Sequence, residues 1–313
     1  MVLEKILSLI RDKRNPIYFP INYARAQELK HRLSSITLRP QQIDFALTFD
    51  VEYDFGSAGK EDCRYVEPFL TESAKLLKKI PSTYFVQGNF VKRFSTQLRR
   101  LQQDGHEIGL HGYAHEPWGI EWFVKEEIPT RTNRERLLKR ALKEFQAAKL
   151  KRPISFRAPN MAIDIESIEA LSRHGFAIDS SAPSYTGILP IKSTRKNICE
   201  IPVSVNPLPE FRIKMKILPH AYYRVFNMAN LCGMNDEEFL TYVDDIIKCQ
   251  LLLKQKPFLV FLAHPWEFYG NERFNYCSTK NYALLERRIE LLKERFEIKF
   301  RTISQLHSSY GPQ

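Results

Sequence analysis

The chain has 313 residues, of which 43% are hydrophobic, enough to bury one large core. Its formal net charge of +11 leaves three interpretations of the basic surface: nucleic acid, an anionic substrate or membrane surface, or a merely solvated face. No nucleic-acid-binding motif accompanies the charge, so we expect no nucleic-acid partner.

The cysteines predict a reducing compartment. They are odd in number, widely scattered and without a CxxC pair: Cys63, Cys199, Cys232, Cys249 and Cys277. The N-terminus lacks the apolar core and cleavage site of a signal peptide, and no apolar run approaches the roughly 20 residues of a membrane span. We therefore expect a cytoplasmic protein, peripheral to the inner membrane if its basic surface contacts lipid.

We expect residues 1–42 to form an N-terminal helical appendage and residues 43–313 to form the main domain. Met1–Arg11 and Tyr23–Leu33 are the two helix candidates. The first carries apolar residues at helical spacing: Leu3, Ile6, Leu7 and Ile10. Such helices either pack on the main domain or lie in a membrane interface.

Strands and helices alternate after residue 43, which is typical of a parallel sheet or an α/β barrel. Residues 182–234 are rich in proline and have the least regular pattern. The predicted strands are Ile43–Phe49, Ser82–Gln87, His106–Leu110, Ile154–Arg157, Phe176–Ile178, Ile198–Val203, Phe258–Ala263 and Phe296–Phe300. The predicted helices are Val66–Ile80, Phe90–Gln103, Asn133–Leu150, Asp236–Leu253 and Lys280–Arg295. A further helix is expected to begin after Asp164, as its cap, and to end near Arg173.

Two groups of polar residues follow predicted strands. His111 and His115 are four residues apart in a segment punctuated by glycine and proline, so both imidazoles can reach one metal ion from a tight turn. Asp50 and Glu52 follow the first strand and point the same way if the chain stays extended. The alternatives are histidines on a polar rim and acids at a strand end that emerges into solvent. Both groups would lie at the same end of the sheet.

Other strand ends also carry functional groups. Arg157 is a ready partner for a carboxylate, Asp179 ends a short strand, and His264 follows the most apolar strand. Trp118, Trp122 and Phe123 predict an aromatic loop that forms a pocket wall.

Five motifs stand in order at these strand ends: TFDVE at 48–52, HGYAH at 111–115, FRAP at 156–159, IDSS at 178–181 and LAHPWEF at 262–268. The set resembles the polysaccharide deacetylase family, of the carbohydrate esterase family 4 type. It looks closest to the branch that acts on bacterial surface polysaccharides. The resemblance covers residues 43–306 and implies an α/β fold, a distorted (β/α) barrel.

The resemblance also implies a metal site. His111 and His115 match the two metal-binding histidines of the family. The common family form has two adjacent aspartates in the first motif, the second of them a ligand, but Val51 stands there in this chain. Glu52 is the expected substitute. One carboxylate and two imidazoles suit zinc best, and cobalt, nickel and iron also fit.

The remaining motif residues match catalytic roles. Asp50 matches the base that takes a proton from water, and Arg157 the arginine that holds it. His264 matches the general acid, and Asp179 the acid that tunes this histidine. A backbone N–H just after Pro159 would meet the oxyanion.

The function that the resemblance implies is metal-dependent hydrolysis of an amide on a sugar. The substrate would be an N-acylated carbohydrate in a bacterial surface polysaccharide or in its lipid-linked, phosphorylated or nucleotide-linked precursor. The reaction would remove its acyl group, most simply acetyl. Two alternatives stay open. One is a deformylase or another C–N hydrolase on the same fold, and the other is a catalytically inactive barrel that binds glycan.

Overall fold

A computed structural model describes residues 14–39, 41–56, 62–120, 126–182, 197–213 and 219–310, together with residues 7, 9, 10, 12, 192 and 193. The strands are β1 (Gln42–Val51), β2 (Ser82–Val86), β3 (Glu107–Leu110), β4 (Ser155–Phe156), β5 (Ile178–Asp179), β6 (Lys192–Ser193), β7 (Cys199–Glu200), β8 (Glu210–Arg212), β9 (His220–Tyr222), β10 (Phe258–Ala263) and β11 (Glu297–Phe300). The helices are α1 (Phe19–Ser34), α2 (Val66–Leu76), α3 (Gly88–Arg93), α4 (Ser95–Gln103), α5 (Arg131–Ala147), α6 (Ile165–Arg173), α7 (Met228–Cys232), α8 (Asp236–Leu252), α9 (Lys280–Arg295) and α10 (Ile303–Tyr310).

One curled sheet organises the chain, in the order β10-β1-β2-β3-β4-β5-β7-β6. All of its pairs are parallel except β6 with β7, and β11 pairs with the first residues of β1. The residues after β7 bring the two ends of the sheet together. Ile201 N donates to Asp179 O on one side (2.8 Å), and Ser204 N donates to Val260 O on the other (3.0 Å). The fold is therefore a distorted α/β barrel, as the sequence predicts.

The alternation along β1 separates two apolar layers. Phe45, Leu47 and Phe49 pack outward against the helices, whereas Ala46 points into the barrel. The interior cluster also takes residues of β2, β5 and β10, and α10 closes its lower end: Phe85, Ile178, Val260, Leu262, Ile303 and Leu306. Above this apolar plug the inward positions of β1 are polar.

Glu107 links the helix α10 to the sheet by hydrogen bonds. Its Oε2 accepts from Ser304 N (2.8 Å) and from Thr83 Oγ1 (3.1 Å), and its Oε1 accepts from Ser155 Oγ (2.7 Å). A carboxylate at the first turn of a helix satisfies unpaired N–H groups and suits the helix dipole. The helix α10 was not predicted, because only its two buried residues, Ile303 and Leu306, carry an apolar signal.

Most predicted elements are present, with changes at their ends. The predicted helix Phe90–Gln103 is two helices, α3 and α4, separated by Phe94. The second appendage helix begins earlier than predicted, at Phe19, and only residues 7, 9 and 10 of the candidate Met1–Arg11 lie inside the described residues. Asp164 caps α6, accepting from Ser167 N at 2.8 Å.

The five cysteines are all free. No helix within the described ranges is both long enough and apolar enough to cross a bilayer.

His106 makes the stability of the fold pH-dependent. It is buried, and its Nδ1 accepts from Ser82 N at 3.2 Å. Burial lowers the pKa of His106 from its ordinary 6.5. The folded state therefore binds fewer protons than the unfolded state, and stability should fall as the pH falls below 6.5, at about 1.4 kcal/mol per unit of pKa difference. The variant His106→Asn keeps an acceptor and removes the titration, so its unfolding free energy should vary less between pH 7.5 and pH 5.5.

Urea unfolding at these two pH values measures the difference. The exposed His31→Asn is the matched control and should follow the wild type. Equal pH dependence in wild type and His106→Asn would show that His106 is not the responsible group.

Candidate active site

Three consecutive inward positions of β1 and its extension carry polar side chains. Thr48, Asp50 and Glu52 lie two residues apart, so a regular strand presents all three to the barrel interior. Each of them is at most 4% exposed. Burying two carboxylates side by side is costly without partners of opposite charge. The rest of the site supplies those partners.

Arg157 is the partner of Asp50. Its guanidinium is fully buried, and Nη1 donates to Asp50 Oδ1 at 2.9 Å and to Thr48 Oγ1 at 2.7 Å. Its other donors go to Ser180, with Nε to the carbonyl oxygen (3.0 Å) and Nη2 to Oγ (2.8 Å). The ion pair fixes the orientation of the Asp50 carboxylate.

Glu52 meets both histidines of the HGYAH motif. Its Oε2 lies 2.8 Å from His111 Nε2 and 2.8 Å from His115 Nε2. All three residues are buried, and one ligand atom from each lies within 4.8 Å of the others. This set of one carboxylate and two imidazoles fits a divalent metal such as zinc.

The charges of these groups depend on one another. Burial raises the pKa of Glu52, but His115, His111 and His264 outweigh it and hold that pKa far below its usual range. Burial lowers the pKa of His115, and the Glu52 carboxylate more than reverses this effect.

The turn that carries both histidines is shaped by Glu116. Its carboxylate accepts from the N–H groups of Tyr113 and Ala114, both at 2.7 Å, and from Trp118 Nε1 at 3.1 Å. His115 has a φ of +65°, a left-handed conformation that is costly for a residue with a side chain. The turn directs both Nε2 atoms to Glu52.

Gly56 leaves room beside the metal-binding set. Its φ is +56°, and a Cβ there would lie 3.0 Å from Glu52 Oε1 and 3.4 Å from His115 Nε2. A larger residue would fill the space next to these atoms.

His264 follows β10 and faces the same space. Its Nε2 lies 3.8 Å from Glu52 Oε1, and its Nδ1 lies 3.2 Å from Glu267 Oε2. Glu267 also accepts from the His264 N–H at 2.7 Å and from the Tyr276 hydroxyl at 3.0 Å. The imidazole stacks on Trp266, with ring centroids 4.3 Å apart. Burial lowers the pKa of His264, but Glu267, Glu52 and Asp50 raise it to about 9, so the imidazole is protonated at neutral pH.

The predicted pairing of Asp179 with His264 is corrected by this geometry. Asp179 accepts a hydrogen bond from Ser181 Oγ, and burial beside Glu200 raises the pKa of both carboxyl groups. Its neighbours Ile178 and Ser180 point into the barrel, so Asp179 points to the other face of the sheet. Glu267 takes the position predicted for Asp179.

The predicted aromatic wall is also corrected. Trp118 is fully buried and packs on Phe156 at 5.0 Å, so it belongs to the core. Trp122 and Phe123 lie outside the described residues. The aromatic residues beside the site come from other segments: Phe55 is half-buried, and its ring lies 5.9 Å from those of Trp266 and Phe274.

Three residues of the site were missed from the sequence. Glu267 stands three residues after His264 before an apolar segment, the spacing of a capping box, and this signal was available. Glu116 sits inside the recognised motif region without any periodic signal. Gln87 follows β2 between Glu52 and His111 in the sheet, and its buried amide has no partner in the described part of the chain.

The comparisons with known proteins give the relatives of this chain. The profile of the polysaccharide deacetylase family matches residues 39–178. A peptidoglycan deacetylase of Helicobacter pylori is 33% identical over 109 residues, which cover 34% of this chain and 34% of that enzyme. The match thus spans about a third of the relative's length.

Two solved structures share the fold. A Mycobacterium smegmatis protein assigned as a polysaccharide deacetylase superposes with a TM-score of 0.59 at 17% identity, over 88% of this chain and 92% of that one. A Pseudomonas aeruginosa protein assigned in the same way gives 0.55 at 16% identity, over 87% and 93%. The profile match covers residues 39–178 and the two superpositions show the fold, so the chain is similar to the polysaccharide deacetylase family over that region.

Proposed function

We propose that this protein is a metal-dependent N-deacetylase that removes an acyl group, most simply acetyl, from the amide nitrogen of a sugar. The convergence of Glu52, His111 and His115 beside the Asp50–Arg157 pair carries the proposal, because Asp50 and Glu52 lie two residues apart on the same face of β1 and its extension. The Helicobacter pylori relative is a peptidoglycan deacetylase, which supports an acetylated glycan as the substrate class.

The residues of the site divide the chemistry between them. A divalent cation held by Glu52, His111 and His115 would polarise the substrate carbonyl and lower the pKa of water at the site. Asp50 takes a proton from the attacking water, whose oxygen bonds to the carbonyl carbon. His264 gives its proton to the amide nitrogen as the C–N bond breaks. The products are a short carboxylic acid and a free amino sugar.

The surroundings favour a carbohydrate of a surface polysaccharide or of its lipid-linked or nucleotide-linked precursor. Phe55, Trp266 and Phe274 form an aromatic group beside His264 on which a sugar ring can stack. The net charge of +11 suits a phosphate-bearing precursor. We place the protein in the cytoplasm, where such precursors are made.

The metal content of purified protein tests the central set. We expect about one divalent ion per chain in the wild type, because three ligands of the right type converge. The isosteric variant Glu52→Gln should lower the metal affinity by at least about tenfold, since it removes the only carboxylate of the set. Elemental mass spectrometry after dialysis against limiting zinc measures both, and zinc, cobalt, nickel and iron are compared in parallel.

The control for this experiment is Glu107→Gln, a carboxylate that also faces the barrel interior but lies at its lower end. It should bind metal like the wild type. A wild type without metal after exposure to each ion would refute the metal site and favour the inactive glycan-binding barrel.

The variant Asp50→Asn separates the base from the ligands. It should keep its metal and lose about 10²–10⁴-fold in kcat, because the amide cannot accept the proton of water. Removing a carboxylate from a buried arginine costs about 3–5 kcal/mol of stability, so kcat is measured well below the melting temperature of the variant. Metal loss in a folded Asp50→Asn would reassign this residue as a ligand.

The pH profile tests the assignment of Glu267. Glu267 raises the pKa of His264, so Glu267→Gln should lower that pKa and move the alkaline limb of the kcat profile to lower pH. Asp179→Asn is the control, because the Asp179 carboxyl pairs with Glu200 and not with His264. A shift of the limb in Asp179→Asn and none in Glu267→Gln would restore the original pairing.

Acyl specificity separates the deacetylase from the alternative hydrolases. Wild-type protein should release acetate from N-acetylated glycans faster than formate from N-formylated ones. The reverse preference would support the deformylase alternative on the same catalytic residues.

A further inference from the structure

Gln87 is a buried amide that makes no side-chain hydrogen bond in the described part of the chain. It has no exposure to water, and neither its Oε1 nor its Nε2 has a partner. A buried polar group without a partner costs stability that an apolar side chain of similar size would not cost. The buried Gln250 shows the ordinary arrangement, since its amide accepts from Phe258 N and donates to Phe258 O, both at 3.0 Å. The stability of the core therefore does not explain why position 87 is a glutamine.

Gln87 stands between two of the three residues of the candidate metal site. Its N–H donates to Val51 O at 3.1 Å, one residue beyond the pairing of Val51 with Val86, which places Gln87 opposite Glu52. On the other side, the His111 N–H donates to Val86 O at 2.9 Å, which places Gln87 opposite His111. The three residues thus form one row across β1, β2 and β3.

The amide points into the barrel, as the side chains of Glu52 and His111 do. Phe85 belongs to the interior cluster, and side chains two residues apart on a strand share a face. The ring of Phe85 lies 4.3 Å from the guanidinium of Arg157. Gln87 is therefore one layer above this pair, at the level of the candidate metal site.

His111 has an unpaired nitrogen in the same row. Its Nε2 lies 2.8 Å from Glu52 Oε2, whereas its buried Nδ1 has no partner among the described residues. A histidine that binds a metal through Nε2 carries its proton on Nδ1 and almost always donates it to an acceptor. The residues on either side of His111 in the sheet are Gln87 and Arg157, whose N–H donates to Leu110 O at 3.0 Å. A guanidinium has only donors, so the Gln87 amide oxygen is the acceptor that this row offers.

We propose that Gln87 is a positioning residue of the metal site, whose Oε1 accepts from His111 Nδ1 and whose Nε2 donates to the Glu52 carboxylate. In the structure, Glu52 Oε2 bonds directly to the imidazoles of His111 and His115. A cation held by these atoms replaces their mutual contacts, and the amide then fixes the orientation of two ligands. An amide suits this place because it carries a donor and an acceptor and adds no charge beside Glu52. The inference rests on the proposed function, because it requires that the site holds a metal.

Zinc binding and thermal unfolding of Gln87→Met test the inference. Methionine is unbranched and close to glutamine in size, but its thioether offers no N–H and only a weak acceptor. Protein stripped of metal by chelation should melt no lower in Gln87→Met than in the wild type, because the lost amide has no partner. The zinc affinity of Gln87→Met, measured by competition with a chromogenic chelator, should be lower by about 10–100-fold, because two ligands lose their orienting partner.

The matched control is Gln250→Met, which changes a buried glutamine whose amide is hydrogen-bonded to the start of β10. This control should melt below the wild type and bind zinc like it. Equal zinc affinity in the wild type and Gln87→Met would overturn the inference. So would a loss of melting temperature in stripped Gln87→Met as large as that of Gln250→Met. If Gln87→Met does not fold, Gln87→Leu is measured in the same way.

NMR of the zinc-loaded protein gives a readout that a merely structural residue would not move. In wild-type protein with nitrogen-15 in its histidines, the Nδ1 proton of His111 should resonate downfield, as a hydrogen-bonded proton does. In Gln87→Met the same proton should move upfield, because its acceptor is gone. An unchanged resonance would show that Gln87 does not accept from His111.

The pattern of results separates this inference from the proposed function. Zinc binding and deacetylation by the wild type, with unchanged zinc affinity in Gln87→Met, would refute the inference alone. Zinc binding that depends on Gln87, without hydrolysis of any acetylated oligosaccharide, would support the inference and refute the proposed function. A wild type that binds no zinc, cobalt, nickel or iron would refute both.

Discussion

The burial of Arg157 is the constraint on which the rest of the structure depends. A guanidinium with no exposure to water must find both a counter-ion and acceptors for its remaining N–H groups. Asp50 is the counter-ion, and Thr48 and Ser180 are the acceptors. Because these partners come from β1 and from the residue after β5, the arginine joins separate parts of the curled sheet. Loss of the charge pair would therefore disturb the sheet as well as the chemistry.

Side chains alternate between the two faces of a β-strand, and on β1 this alternation separates the apolar core from the polar candidate site. Along β1 the outward residues are apolar throughout, whereas the inward residues change from Ala46 to Thr48, Asp50 and Glu52. The lower barrel is closed by α10, and its carboxylates, Glu107 and Asp44, are hydrogen-bonded within it. The upper barrel collects the charges, which compensate one another. A single alternation thus separates the core that stabilises the fold from the charged groups of the candidate active site.

The side chains on β1 and after β10 could be placed from the sequence, whereas those on β5 and in the turn after His264 could not. β1 and β10 are long and apolar. Their pattern therefore shows which face of the sheet Asp50 lies on, and that His264 stands at the end of a buried strand. β5 has two residues, which is too short to show a face, and Asp179 was assigned to the wrong side. Glu267 lies in a single 3-10 turn whose direction depends on tertiary packing. The hairpin of β8 and β9 has no alternating pattern, and Phe19 and Tyr23 pack against its Phe211 from a distant part of the sequence.

The departure of the first motif from the common family form is explained by the same geometry. Two adjacent acids on a regular strand would point to opposite faces, so one of them would need a local change of backbone to reach the metal. Here Val51 fills the outward position and is fully buried in the outer core, and Glu52 takes the next inward one. The spacing of two keeps both carboxylates on one face of an undistorted strand. Glu52 reaches the two histidines from there, and Gly56 leaves the space that its longer side chain requires.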